Sequence, residues 1–202
     1  MHDEVYTAFE RLCRPLAITG KVLEIGASPF HQSLLTLPCL SRASGRIGVG
    51  LDGAFKGPAY EIRQMNAHAL TDFDDGAFQL VLSNSMLEHD PQFWLTLAEA
   101  RRVTARGGHL ALGVPGYVSM GTTPLRKLFR KLVRLPLVGH RWRDISTALD
   151  ASSLTLGIHD YPGDYYRFST QAMAEVLLAG MVDVTVQTVL SPPRILGIGR
   201  KP

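Results

Sequence analysis

Two stretches concentrate the side chains that could do chemistry. In Lys21–Pro29, KVLEIGASP, a carboxylate (Glu24) stands two residues before Gly26 and the small turn Ala27-Ser28-Pro29. A pyrophosphate facing that turn would be repelled by Glu24, whereas a ligand carrying an ammonium and a sulfonium would be attracted. The second stretch, His159–Phe168, HDYPGDYYRF, offers His159, Asp164, Tyr165, Tyr166 and Arg167. Tyrosine faces stabilise a sulfonium by cation–π attraction, and the planar Arg167 fork suits an anionic substrate group. An ordered loop in which Tyr and Arg pack on each other would look the same in sequence.

The elements that must position these residues are those of an α/β sheet. Val5, Tyr6, Phe9, Leu12 and Cys13 recur at helical spacing over residues 3–14, predicting an amphipathic helix that covers the sheet or a pocket. The apolar run of Lys21–Ile25 is a first strand, and Pro29 opens a predicted helix. Strands are expected at 46–52, 60–66, 78–85 and 109–115. A helix runs from Phe93 through Val103 to an end at Gly107-Gly108. Ser169 caps a helix ended by Gly180, and strands at 183–190 and 194–200 close the chain. A strand that ends at a glycine turn is where an open α/β sheet places its ligand.

The 202 residues, 46% hydrophobic and 19% charged, suit a single domain spanning 1–202. Residues 116–168 interrupt the strand–helix alternation as an inserted lid or substrate segment. The longest uncharged run, Gly107 to Leu125, is broken by Gly113, Pro115, Gly116, Gly121 and Pro124 and does not read as a membrane span. The acidic start, Met1-His2-Asp3-Glu4, is unlike a signal peptide, which makes the expected location cytoplasmic. Cys13 and Cys39 lack metal-ligand spacing and read as reduced thiols, and no metal is expected. Charge is uneven: seven of 21 basic residues fall between Arg126 and Arg143, leaving 14 basic against 18 acidic elsewhere.

Over residues 20–115 the motifs Glu24-Ile25-Gly26, Asp74–Val81, Leu87-Glu88-His89, Glu99–Val103 and Gly107–Leu110 occur in succession. In identity and spacing the chain resembles the class I S-adenosylmethionine-dependent methyltransferases of the small-molecule, ubiquinone-biosynthesis-like (methyltransferase type 11) group. It departs from them where the family's turn has two further glycines, here Ser28 and Phe30. The resemblance implies a doubly wound Rossmann-like sheet of seven strands in the order 3-2-1-4-5-7-6, the last antiparallel, with a helical insertion between strands 5 and 6. It implies S-adenosylmethionine as cofactor, held by Glu24, Gly26, Ala27 and Ser28. Asp52 and Gly53 take the ribose position, where two carboxylate oxygens match two hydroxyls. Asn66 and Ala67 take the adenine position, although Asn66 also reads as a turn-closing residue. Ser83 stands at the end of the fourth strand. His89, in the turn beside the cofactor in this fold, is the candidate base, with a capping or packing histidine as the alternative.

The expected function is therefore methyl transfer to a small molecule, sugar-, lipid- or carrier-linked. A non-catalytic module with weak cofactor affinity is the alternative, and a dehydrogenase is a minor one. The basic helix over 125–134 reads as a solvated face, as a peripheral contact with an anionic membrane or lipid-linked substrate, or as a phosphate grip. Nucleic acid ranks last, because Ser83-Asn84-Ser85-Met86 lacks the Asn/Asp-Pro-Pro-aromatic tetrapeptide of amino-methyltransferases acting on bases. Oligomeric state leaves no mark that can be read.

Overall fold

The computed structural model describes residues 2–119, 153–158 and 163–202. The expected basic helix over 125–134, His159 and most of the insertion lie outside the described residues. No helix among the described residues is long and apolar enough to cross a membrane.

An eight-stranded sheet forms the centre. Its strands are β1 (Lys21–Ile25), β2 (Gly45–Gly50), β3 (Phe55–Lys56), β4 (Glu61–Gln64), β5 (Phe78–Asn84), β6 (Thr104–Pro115), β9 (Val182–Val189) and β10 (Arg194–Arg200), with β7 (Tyr117–Ser119) and β8 (Ser153–Thr155) paired separately. They lie in the order β3-β4-β2-β1-β5-β6-β10-β9. Without β3 this is the expected 3-2-1-4-5-7-6, and β10 runs antiparallel to both neighbours. The order reverses at β1, which pairs with β2 on one side and β5 on the other, both parallel. The crevice beyond the C-terminal ends of β1 and β5 is thus the topological switch point. Strand β3 escapes sequence reading because two residues carry no periodicity.

Central parallel strands are covered on both faces, so they are apolar on both. Leu23, Ile25 and Val81 point into one layer with Leu97, Ala100 and Val103 of α2 (Phe93–Val103). Val22, Leu80 and Leu82 point into the other with Val5, Ala8, Phe9 and Cys13 of α1 (Asp3–Cys13). The predicted lead-in helix therefore covers the sheet. Each fully buried large apolar side chain contributes about 1.5–3 kcal/mol, and Phe9 is fully buried.

Two predicted helix boundaries are corrected. After Pro29 there is no α-helix: Leu34–Thr36 and Pro38–Leu40 are single 3₁₀ turns. Pro38 supplies no N–H, and its ring forces Leu37 to an extended ψ of 130°, so a helix cannot propagate through it. Helix α2 stops at Val103 rather than Gly107-Gly108, and β6 starts directly at Thr104. Lys201 supplies the reason. Its Nζ donates to the carbonyls of Arg101 and Thr104, both at 2.7 Å, capping the helix end with a cation. Backbone bonds between Lys201 and Gly107-Gly108 then hold that corner in the sheet.

Arg102 ties the loop between β4 and β5 to α2. It donates to the carbonyls of Leu70 and Phe73 and to the carboxylates of Asp75 and Glu99, all within 2.9 Å, while Glu99 also accepts the Leu70 N–H at 2.7 Å. Arg102→Met keeps the aliphatic stem but removes the donor from two carbonyls and two carboxylates. A loss of about 2 kcal/mol in urea-unfolding stability is expected, and a change below about 0.5 would show that water replaces the guanidinium without cost.

Candidate functional site

The turn after β1 is built by close approach. Gly26 has φ +85°, and a Cβ there would lie 2.7 Å from the Met86 side chain, so both conformation and space demand glycine. The N–H groups of Gly26 and Ala27 both donate to the Val49 carbonyl, at 2.8 and 2.9 Å, seating the turn on β2. Ser28 Oγ accepts the Phe30 N–H.

Glu24 does not stand in the crevice as a bare charge. It is 5% exposed and accepts from the Ser33 hydroxyl and, at 3.1 Å, from the Leu34 N–H. Burial raises its pKa, with those hydrogen bonds opposing. The expectation of a negative crevice mouth is corrected accordingly: Glu24 folds the loop after Gly26, and its field is spent on that loop.

Asp52 and Gly53 follow β2 directly, with Asp52 exposed and Gly53 in open space at φ +133°. Asn66 closes a turn, its Oδ1 accepting the His68 N–H at 2.9 Å, while Ala67 is partly buried against the core. Ser83 is buried, and its Oγ has no partner. Asn84 Oδ1 and Glu88 Oε2 are likewise buried and unpartnered. Buried polar atoms are almost always satisfied. Ser83 and Asn84 are consecutive on β5 and so lie on opposite faces of the sheet, which keeps the three atoms from outlining a single pocket.

His89 lies in a 3₁₀ turn, Leu87–His89. Its Nδ1 is 2.5 Å from the Gly163 carbonyl, which can only accept, so the ring donates from Nδ1 and the neutral imidazole carries its lone pair on Nε2. Nε2 is 3.8 Å from Glu88 Oε1. Glu88 is 1% exposed, and burial pushes its carboxyl up to about 7 against the partial opposition of a backbone hydrogen bond and the charges of His89, Arg194 and Arg167. The Glu88 carbonyl also accepts the Tyr165 N–H at 2.8 Å.

The aromatic segment is therefore docked on this turn, with fewer open groups than the sequence suggests. The Arg167 fork is bidentate to Asp164, its remaining N–H groups reach the carbonyls of Leu156, Gly157 and Tyr166, and Asp164 raises its pKa. Arg167 is committed to its own segment rather than extended toward an anion. Tyr166 donates to the Pro91 carbonyl and packs edge-on against Phe93. Tyr165 stays 55% exposed. The structure thus brings His89, Asp164, Tyr165, Tyr166 and Arg167 together and leaves His159 undescribed.

Sequence reading missed one pair. His68 Nε2 lies 2.9 Å from both oxygens of Asp90, which also accepts the Gln92 N–H and the Thr96 hydroxyl. It pins the loop after β4 to the start of α2. Asp90-Pro91 before an apolar helical run was the only signal available.

Residues 47–112 match the family model described as a methyltransferase domain. No curated protein matches the sequence significantly. Among solved structures, a possible exported protein from Bordetella parapertussis aligns with TM-score 0.59 at 16% identity, over 98% of this chain and 67% of that one. Phosphoethanolamine N-methyltransferase 2 of Haemonchus contortus, solved with phosphomonomethylethanolamine and S-adenosylhomocysteine, aligns with TM-score 0.57 at 13% identity, over 98% and 53%. The 1,6-didemethyltoxoflavin-N1-methyltransferase of Burkholderia thailandensis, with its substrate and S-adenosylhomocysteine, aligns with TM-score 0.59 at 17% identity, over 98% and 81%. These are likenesses of fold. The chain spans about half to two-thirds the length of the first structures it matches.

Proposed function

We propose that this chain, a class I methyltransferase in its fold and in its family match over residues 47–112, transfers a methyl group from S-adenosylmethionine to a small-molecule acceptor. The observation that carries the reading is the glycine turn after β1 at the switch point of a 3-2-1-4-5-7-6 sheet.

Gly26, Ala27 and Ser28 would form the floor of the cofactor site, Asp52 and Gly53 the ribose contact, Asn66 and Ala67 the adenine edge, and Ser83 the inner wall. Bound there, S-adenosylmethionine supplies a methyl group already activated by its sulfonium. What is left to the chain is to align the acceptor, exclude water and take a proton where the acceptor is a hydroxyl or an amine. His89 would serve the last role, and the Gly163 carbonyl that accepts its Nδ1–H supports this by leaving the lone pair on Nε2. The segment from Gly163 to Phe168, docked on the same turn, would keep water out and offer the exposed Tyr165 face to the acceptor. A sugar-, lipid- or carrier-linked acceptor, contacted in part by residues 125–134, is compatible with that open side.

Calorimetric titration with S-adenosylhomocysteine tests the reading, and saturable heat is expected. Asp52→Ala should weaken binding by about 1–3 kcal/mol, roughly five- to two-hundred-fold, from loss of charge-assisted bonds to the diol. An unchanged affinity would remove Asp52 from the site. A second reading, a non-catalytic module of the same fold, is favoured by the commitment of the Gly26 and Ala27 amides to Val49. Absence of both heat and thermal shift at millimolar ligand would select it.

A further inference from the structure

We propose that Glu88 and His89 act as a single proton-exchanging unit, in which the buried carboxyl, as a positioning residue, governs whether the imidazole beside it can take up a proton. Three observations carry it. First, Glu88 Oε1 stands 3.8 Å from His89 Nε2, the nitrogen that bears the lone pair once Nδ1 donates to Gly163. Second, Glu88 is 1% exposed, and its Oε2 has no hydrogen-bond partner among the described residues, an arrangement a permanently ionised carboxylate does not tolerate. Third, burial outweighs the charges around it, all of which favour the ionised form. Arg194 on β10 and Arg167 on the docked segment favour the carboxylate, but Arg167 is neutralised by Asp164 at bidentate range. The carboxyl is therefore held between its two protonation states, consistent with a pKa pushed up to about 7.

A proton arriving at Nε2 leaves the imidazole positive beside Glu88. The carboxyl then either ionises and pairs with it or stays protonated and repels no charge. One proton shared by two groups is what the geometry stores. The chemistry is that of coupled sites, whose titration belongs to the pair. For the methyl-transfer reading this provides a sink for the proton of an O–H or N–H acceptor. The inference rests on that reading only for what the proton is used for.

Infrared spectroscopy of the full chain, without cofactor or acceptor, tests the unit. The part of the buried protonated-carboxyl band that the near-isosteric Glu88→Gln removes, leaving any signal of buried Glu24 in place, should be present at pH 5 and disappear through about pH 7. In His89→Asn the same band should persist to higher pH, because the imidazolium charge that favours the carboxylate is gone. A wild-type protein with no such band at pH 5, or a band whose midpoint His89→Asn leaves in place, overturns the proposal. Cofactor calorimetry can fail while this experiment succeeds, so the two readings are separable.

Discussion

Glu88→Gln should make the protein more stable at pH 8 and leave it nearly unchanged at pH 5. A carboxyl raised from an ordinary 4.5 to about 7 by burial holds a proton in the folded state that the unfolded chain has already released. Between those two values the native state binds more protons, so stability falls as pH rises through the window. Below about pH 4.5 the group contributes no penalty. Above about pH 7 the full cost is present, on the order of 3 kcal/mol. Glutamine fills the same space and never ionises, so a gain of about 1–3 kcal/mol at pH 8 is expected, the attractions of Arg167 and Arg194 being already contained in the raised value. Urea unfolding at the two pH values measures it. Loss of stability at pH 8 would mean instead that Glu88 is ionised and paired by those arginines, which would also end the proton-exchange proposal. A residue that is kept at such a cost fits a site that trades stability for chemistry.

Gly50→Ala is the second large effect. The new Cβ would stand 2.0 Å from the Ala27 carbonyl oxygen and 3.1 Å from its carbon, both backbone atoms that no rotamer can move. The turn after β1 must lift off β2, which strains or breaks the bonds from Gly26 and Ala27 to Val49. Overpacking of about 1–3 kcal/mol and two weakened hydrogen bonds of about 1 kcal/mol each add to roughly 3–5 kcal/mol. Affinity for S-adenosylhomocysteine should fall at least about tenfold, because the displaced turn is the floor of the site. Gly45→Ala is the control. On the same strand its Cβ would meet only Lys21 Cγ at 3.7 Å, an ordinary contact, and stability should change by less than about 0.5 kcal/mol. Equal behaviour of the two variants would show that the turn is not pressed against β2.

Most of the sheet is legible in the chain because its signals are local. The apolar runs Lys21–Ile25 and Phe78–Asn84 announce strands buried on both faces. The glycine of Glu24-Ile25-Gly26 announces a turn, and the closely spaced β9 and β10 announce a hairpin. Where a local rule had a competitor, boundaries moved. Pro38 overrode an apolar pattern after Pro29, and Lys201, a hundred residues from Arg101, ended α2 before its glycines.

The candidate site divides along the same line. Sequence alone set which residues stand at the ends of β1, β2, β4 and β5, since strand order carries Gly26, Asp52, Asn66 and Ser83 to one edge. It could not set where their polar atoms point. Glu24 turned to Ser33, Asn66 to His68 and Arg167 to Asp164, while Glu88, read from sequence only as part of the Leu87-Glu88-His89 motif, became the buried group with an open oxygen. Periodicity fixes the face of a strand on which a side chain lies. Whether its charge is spent or held available depends on partners brought from elsewhere in the chain, and on how much water that packing excludes, which only the tertiary fold decides.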